Sequence, residues 1–117
     1  MLFRSVMTKI VYNACFGGFG LSDEAMVRYA ELKGWNFVSE NYQSYLLDSN
    51  GVRQSRWDFE RADPLLAQVV EELGGGVNTR FSNLQIRDLP AGTKYRIHEY
   101  DGNETVVTME EHDWDIA

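Results

Sequence analysis

The architecture of this chain is set near its start by the sequence TKIVYNACFGGFGLSDE, residues 8–24. Its first eight residues, up to Cys15, are rich in β-formers and predict a strand buried on both faces. The glycine-rich segment 16–20 then ends the strand. Ser22 is a good N-cap and two acidic residues follow it, so we expect a helix over about 22–33.

A second helix is predicted from Asp63-Pro64, which combines an N-cap with proline at the first helical position. Apolar residues at helical spacing follow until a run of three glycines begins at Gly74. Between the two helices, Tyr45-Leu46-Leu47 and the segment from Val52 to Trp57 predict a hairpin. The rest of residues 35–61 gives no clear pattern.

Three strands are expected after the second helix. Leu84 and Ile86 alternate with polar residues until Pro90, residues 95–100 alternate again, and Asp101-Gly102 turns the chain into a strand over 105–109. These three strands predict a closing antiparallel meander. The fold class is therefore α+β, with a mixed, mostly antiparallel sheet and two helices packed on one face.

We expect residues 1–117 to form a single domain, because the length suits one core and no linker interrupts it. Residues 1–7 lack the apolar core of a signal peptide, so we interpret them as a disordered leader, with Met7 as an alternative start. The lone Cys15 excludes an intramolecular disulfide and favours a cytoplasmic location. No apolar run approaches the roughly 20 residues of a membrane span. The many aromatic residues also favour a homo-oligomer.

The negative charge lies at one end of the chain. Residues 99–117 hold seven acidic side chains and no Lys or Arg, which equals the whole net charge of −7. Nucleic-acid binding depends on clustered basic groups, so this distribution argues against a DNA- or RNA-binding domain. An acidic segment suits a basic protein partner instead.

The glycine-rich segment, Phe16 to Gly20, lies between a predicted strand and helix, where backbone N–H groups can bind an anion. It lacks the lysine of a P-loop and the spacing of a dinucleotide fingerprint, so a purely structural turn is the alternative. Cys15 has two interpretations, a nucleophile near a helix N-terminus and a small buried hydrophobe.

Residues 98–104 gather carboxylates, a phenol and His98 around one turn. Such a group can perform acid–base catalysis, or it can simply be solvated. Arg61, just before the second helix, suits a phosphate or a surface ion pair equally well. His98 and His112 have no spacing typical of zinc ligands, so we predict no metal site, no cofactor and no assigned catalytic residue.

Three blocks of the sequence resemble a family of small uncharacterised proteins from phages, large DNA viruses and bacteria. The blocks read KIVYNACFGGFGLS (9–22), RADPLL with VVEELG (61–66 and 69–74), and EYDGNE (99–104). Where that family has a His-Arg-x-Trp pattern, this chain reads EHDW (111–114), so the family's positive charge beside His112 is missing here.

The resemblance implies a phage-type role, because several phage families sequester or degrade nucleotide signals of bacterial immunity. On that hypothesis the blocks converge on one pocket, with loop amides and Arg61 binding phosphates, Tyr100 stacking on a base, and Asp101 or Glu104 binding ribose or base. The expected ligand-binding residues are Cys15, Phe16, Gly17, Gly18, Phe19, Gly20, Arg61, Tyr100, Asp101, Glu104 and His112. Two alternatives stay open, an acidic inhibitor that binds a host protein and a small nucleotide hydrolase.

Overall fold

The structure, a computed structural model, describes residues 7–108. Two α-helices, a short 3₁₀ turn and seven strands occur in that part of the chain, confirming the α+β class. In chain order they are β1 (Met7–Asn13), α1 (Asp23–Lys33), β2 (Asn36–Glu40), β3 (Gln43–Leu47), β4 (Arg53–Gln54), α2 (Pro64–Leu73), the 3₁₀ turn (Gly74–Val77), β5 (Leu84–Pro90), β6 (Tyr95–Tyr100) and β7 (Asn103–Thr108).

Strand β1 runs through the centre of the described fold. It pairs antiparallel with β5, from Met7 opposite Pro90 to Asn13 opposite Leu84. Its other edge is also bonded, because the Val11 N–H donates to the Arg61 carbonyl at 2.9 Å. Ile10, Val11 and Asn13 are all fully buried. The predicted strand is confirmed, although it ends at Asn13 and leaves Cys15 in the loop.

Both helices begin and end where the sequence predicts. The Ser22 hydroxyl accepts from the Ala25 N–H at 3.1 Å, and the Asp63 carboxylate accepts from the Leu65 N–H at 2.9 Å. Gly34 ends α1 in the left-handed conformation, with φ of +72°. These caps satisfy backbone groups that a helix terminus would otherwise leave without partners.

The strands form three small antiparallel sheets among the described residues, β1-β5, β2-β3-β4 and β6-β7, rather than one mixed sheet. The expected meander is therefore wrong at its first step, since β5 pairs with β1 and not with β6. The β3–β4 hairpin and the β6–β7 hairpin are confirmed. Strand β2 was not predicted, because its sequence NFVSE carries no alternation and much of it is exposed.

The main core lies where the two helices meet β1, β3 and β5. Its fully buried side chains include Val11, Leu21, Met26, Leu46, Leu66, Val69 and Val77. Phe59 adds an aromatic contact, because its ring lies 5.0 Å from the Tyr29 ring and 6.3 Å from the Phe19 ring. Within residues 7–108, no helix is both long and apolar enough to cross a membrane.

Asp63 ties the two helices together. It is 8% exposed, and its Oδ2 accepts from the Tyr29 hydroxyl at 2.5 Å and lies 2.8 Å from Lys33 Nζ. Burial acts to raise the pKa of Asp63, but the hydrogen bonds from Lys33, Tyr29 and the Leu65 N–H outweigh it and lower the pKa. Hydrogen bonds from Arg28 and Gln68 likewise lower the pKa of Glu72 to about 2.

These two pKa values predict acid destabilisation. A carboxylate whose pKa is lowered in the folded state stabilises the protein above its unfolded pKa, and this contribution is lost as the pH falls through the folded value. We therefore expect the free energy of unfolding, measured by urea titration, to fall between pH 4 and about 2. Asp63→Asn keeps a capping oxygen but loses the charge, and should cost about 2 kcal/mol at pH 7 and flatten this acid dependence. An unchanged acid profile in this variant would contradict the assignment.

Candidate functional site

The glycine loop, defined here as residues 15–20, connects β1 to α1. A Cβ on Gly17 would lie 1.9 Å from the Phe81 carbonyl oxygen, so only glycine allows the two backbones to come this close. The Cys15 thiol donates to the same carbonyl at 2.9 Å. The loop and the segment around Phe81 are therefore packed directly against each other.

That segment is a tight turn over residues 79–82. The Thr79 N–H donates to the Ser82 hydroxyl at 2.8 Å, and the Phe81 N–H donates to the Thr79 hydroxyl at 3.1 Å. Ser82, itself buried, donates to the Gly20 carbonyl at 2.9 Å. These bonds attach the turn to the glycine loop and leave Arg80 and the Phe81 ring, which is 64% exposed, at the surface.

Arg56 and Trp57 approach the glycine loop from the segment after β4. The Arg56 guanidinium donates to the Leu21 carbonyl at 3.3 Å and lies 2.7 Å from Asp23 Oδ1. A Cβ on Gly20 would lie 3.6 Å from Trp57 Cδ1, an ordinary van der Waals distance, so the indole lies directly beside the glycine loop. Trp57 nevertheless remains 65% exposed.

These three segments enclose the glycine-loop cleft, a depression of about 420 Å³. Its volume falls within the usual range of small-molecule sites, at roughly 300–1,000 Å³. Three aromatic residues, two arginines, a threonine and two glycines border the space. The lining residues are Gly17, Gly18, Phe19, Arg56, Trp57, Thr79, Arg80 and Phe81.

The two arginines of the cleft differ in their charge environment. Arg56 is neutralised by Asp23, whereas no carboxylate of residues 7–108 lies within ion-pair distance of Arg80. Glu24 does not line the cleft, and its Oε2 lies near Gly76, 3.4 Å from where a Cβ on that glycine would be. Asp23 at the start of α1 is offset by Arg56, and Arg80 supplies a positive charge that no carboxylate of the described residues balances.

The structure brings the three sequence blocks together around Asn13, which is fully buried. Its side-chain amide donates to the Cys15 carbonyl and to the Gly102 carbonyl, each at 2.8 Å. A Cβ on Gly102 would lie 2.7 Å from the Gly18 nitrogen. The β6–β7 turn therefore packs directly against the glycine loop at Gly102.

Arg61 and Glu104, both expected to bind a ligand, bind each other. Two guanidinium nitrogens of Arg61 reach the two carboxylate oxygens at 2.5 and 2.9 Å, and the guanidinium carbon lies 3.6 Å from the centre of the Phe19 ring. Glu104 also accepts from the Asn13 N–H at 2.8 Å. The side chains are only 18% and 8% exposed, so this pair is part of the interior beneath the cleft.

The remaining expected site residues lie apart from the cleft or outside the described residues. Phe16 and Tyr100 are 63% and 72% exposed but do not line the cleft. Asp101 is exposed in the β6–β7 turn. His112 and the acidic residues of 110–115 lie outside the described residues. Of the expected set, the cleft contains Gly17, Gly18 and Phe19.

Sequence reasoning missed five of the lining residues, namely Arg56, Trp57, Thr79, Arg80 and Phe81. The Thr79-x-x-Ser82 spacing is typical of a side-chain-capped turn and could have marked one wall. Nothing local places either arginine beside the loop, because Arg56 and Arg80 are brought there by long-range contacts.

Comparison with known proteins gives no match to a family model, to a curated protein or to a solved structure. The resemblance of the three blocks to phage proteins therefore stays a prediction. Across residues 7–108, no group of three or more His, Cys, Asp or Glu side chains is placed to hold a metal ion.

Proposed function

We propose that the protein binds a nucleotide-like ligand, an aromatic base carrying a phosphate, in the glycine-loop cleft. The observation that carries this proposal is that the cleft combines two exposed aromatic rings, Trp57 and Phe81, with Arg80. No carboxylate of the described residues forms an ion pair with Arg80. Trp57 and Phe81 offer faces for a base, and Arg80 offers a planar, bidentate partner for a phosphate.

Binding without turnover fits the chemistry of the lining best. No carboxylate or imidazole is among the cleft's lining residues in the described part of the chain. Carboxylates and imidazoles are the commonest general acids and bases, and the amines, phenols and thiols that can replace them are also missing from this lining. Together with the phage resemblance, this supports sequestration of a nucleotide signal as the role of the cleft. The acidic inhibitor and the hydrolase remain alternatives that rest partly on residues 109–117.

Calorimetric titration with adenosine 5′-monophosphate, cyclic di-AMP, a cyclic trinucleotide and cyclic ADP-ribose tests the proposal. We expect at least one of them to bind, and Trp57→Ala and Arg80→Ala each to weaken that binding about tenfold or more, since stacking and charged hydrogen bonds contribute roughly 1–3 kcal/mol each. Both side chains are exposed, so the variants should fold normally.

Tyr95→Ala and Lys94→Ala are the matched controls, because they remove an exposed ring and an exposed cation outside the cleft. They should bind like the parent protein. Absence of binding across the panel, or equal losses in the control and cleft variants, would remove the proposal.

A further inference from the structure

A second depression adjoins the glycine-loop cleft and shares two of its residues. This Tyr42 groove, about 350 Å³ in volume, is lined by Tyr42, Tyr45, Arg53 and neighbouring polar groups, together with Arg56 and Trp57. Because Trp57 and Arg56 border both spaces, the groove and the cleft meet at these two side chains. A ligand that fills one space can extend into the other.

The groove repeats the chemistry of the cleft. Arg53 lies 3.9 Å from the centre of the Tyr45 ring and donates to Gln43 at 3.0 Å, and no carboxylate of the described residues pairs with it. Arg53 in the groove and Arg80 in the cleft are thus two guanidinium groups available to anions, separated by the neutralised Arg56. Each space therefore offers aromatic surface and one unbalanced cation.

Tyr42 stands in a backbone position that its side chain disfavours. It follows Asn41 in the two-residue β2–β3 turn, where both residues have positive φ, of +50° and +61°. The β6–β7 turn has the same form with Asp101-Gly102, the residue pair that such turns prefer. A bulky residue in the left-handed region costs roughly 1–2 kcal/mol.

Packing does not compensate for this strain, because the Tyr42 side chain is fully exposed. Folding alone would favour glycine at this position, as at Gly102. Backbone strain that the fold does not need is a feature of functional sites. Here the strained conformation of Tyr42 places its phenol ring at the mouth of the groove.

From these observations we infer that the ligand carries two nucleobases joined by phosphodiester linkage, one base in the cleft and one in the Tyr42 groove, with Trp57 between them. The inference rests on the proposed function of the cleft. Two aromatic spaces match two bases, and Arg53 and Arg80 match two phosphates. The chain's net charge of −7 favours a free dinucleotide over a long nucleic acid.

The test compares cyclic di-AMP, linear pApA, adenosine 5′-monophosphate and a ten-residue oligoadenylate, titrated into the full chain and into Tyr42→Gly and Tyr42→Phe. We expect a dinucleotide to bind at least about tenfold more tightly than the mononucleotide, because a second stacked base is worth about 1–3 kcal/mol. Tyr42→Gly should abolish that advantage, while Tyr42→Phe should retain it. Tyr42→Gly should also raise the melting temperature, since glycine relieves the strained turn.

Each other outcome is decisive. If the mononucleotide binds as tightly as both dinucleotides, or if Tyr42→Gly keeps the preference, the inference fails while the proposed function stands. An oligoadenylate that binds more than tenfold tighter than either dinucleotide would overturn the free-dinucleotide assignment. A lowered melting temperature for Tyr42→Gly would show that the fold requires the tyrosine, and the inference would fail because its strain argument would be wrong. If no nucleotide binds, the proposed function itself is wrong.

Discussion

Alanine at position 102 is expected to lower the free energy of unfolding by about 3 kcal/mol or more, through strain and overpacking together. Gly102 has φ of +86°, and a Cβ there would lie 2.5 Å from the Phe16 carbonyl oxygen and 2.7 Å from the Gly18 nitrogen. Both are backbone atoms, so no side-chain rotation can relieve the contact. The turn or the glycine loop must move, and the bond from Asn13 to the Gly102 carbonyl would be disturbed as well.

Gly51→Ala separates the two causes. Gly51 also has positive φ, at +76°, but a Cβ there would meet nothing within 4 Å. It should cost only the backbone strain, about 1 kcal/mol. Urea unfolding gives the loss in free energy of unfolding for each variant. The difference between the two losses measures the effect of the close approach of the β6–β7 turn to the glycine loop. Equal losses in the two variants would mean that this packing is absent in solution.

Gly102→Ala should also lower the affinity for any ligand that binds in the glycine-loop cleft, because Gly18 both lines the cleft and contacts the turn. A loss of affinity under conditions where the variant remains folded would show that the turn supports the cleft without lining it. Gly51→Ala again provides the control, since Gly51 lies in the β3–β4 connection and does not line the cleft.

The elements that the sequence predicts well are those whose signals are local. The caps at Ser22 and Asp63 bond to backbone groups two or three residues away, and Asp101-Gly102 closes a two-residue turn. Each signal depends only on the conformations of adjacent residues, so it predicts the local structure independently of the tertiary fold.

Contacts between segments that are distant in the sequence could not be predicted in the same way. Strand β5 lies beside β1 rather than its sequence neighbour β6, and alternation in a strand does not say which partner it has. The cleft has the same origin, because Arg56, Trp57 and the 79–82 turn reach the glycine loop only through the tertiary fold. The phage resemblance implied a ligand for Arg61 and Glu104, but in the structure each is the other's partner.

Glu104→Gln is expected to destabilise the protein by about 3 kcal/mol, the cost of removing one member of a largely buried ion pair. The substitution preserves shape and leaves an oxygen for the Asn13 N–H, which now bonds to Glu104 Oε1 at 2.8 Å. The charge on Arg61, 18% exposed and stacked on Phe19, would then have no compensating carboxylate at this position.

A double-mutant cycle isolates the pair from its surroundings. Arg61→Met removes the guanidinium while keeping an apolar stem over Phe19, and Arg61→Met with Glu104→Gln removes both charges at once. Since replacing both partners of a buried pair costs less than orphaning one, the double variant should be more stable than the sum of the single losses predicts, by about 1–3 kcal/mol. The free energies come from urea unfolding of the four proteins. Additive losses would mean that Arg61 and Glu104 do not interact in solution, and Arg61 would again be available for an anionic ligand.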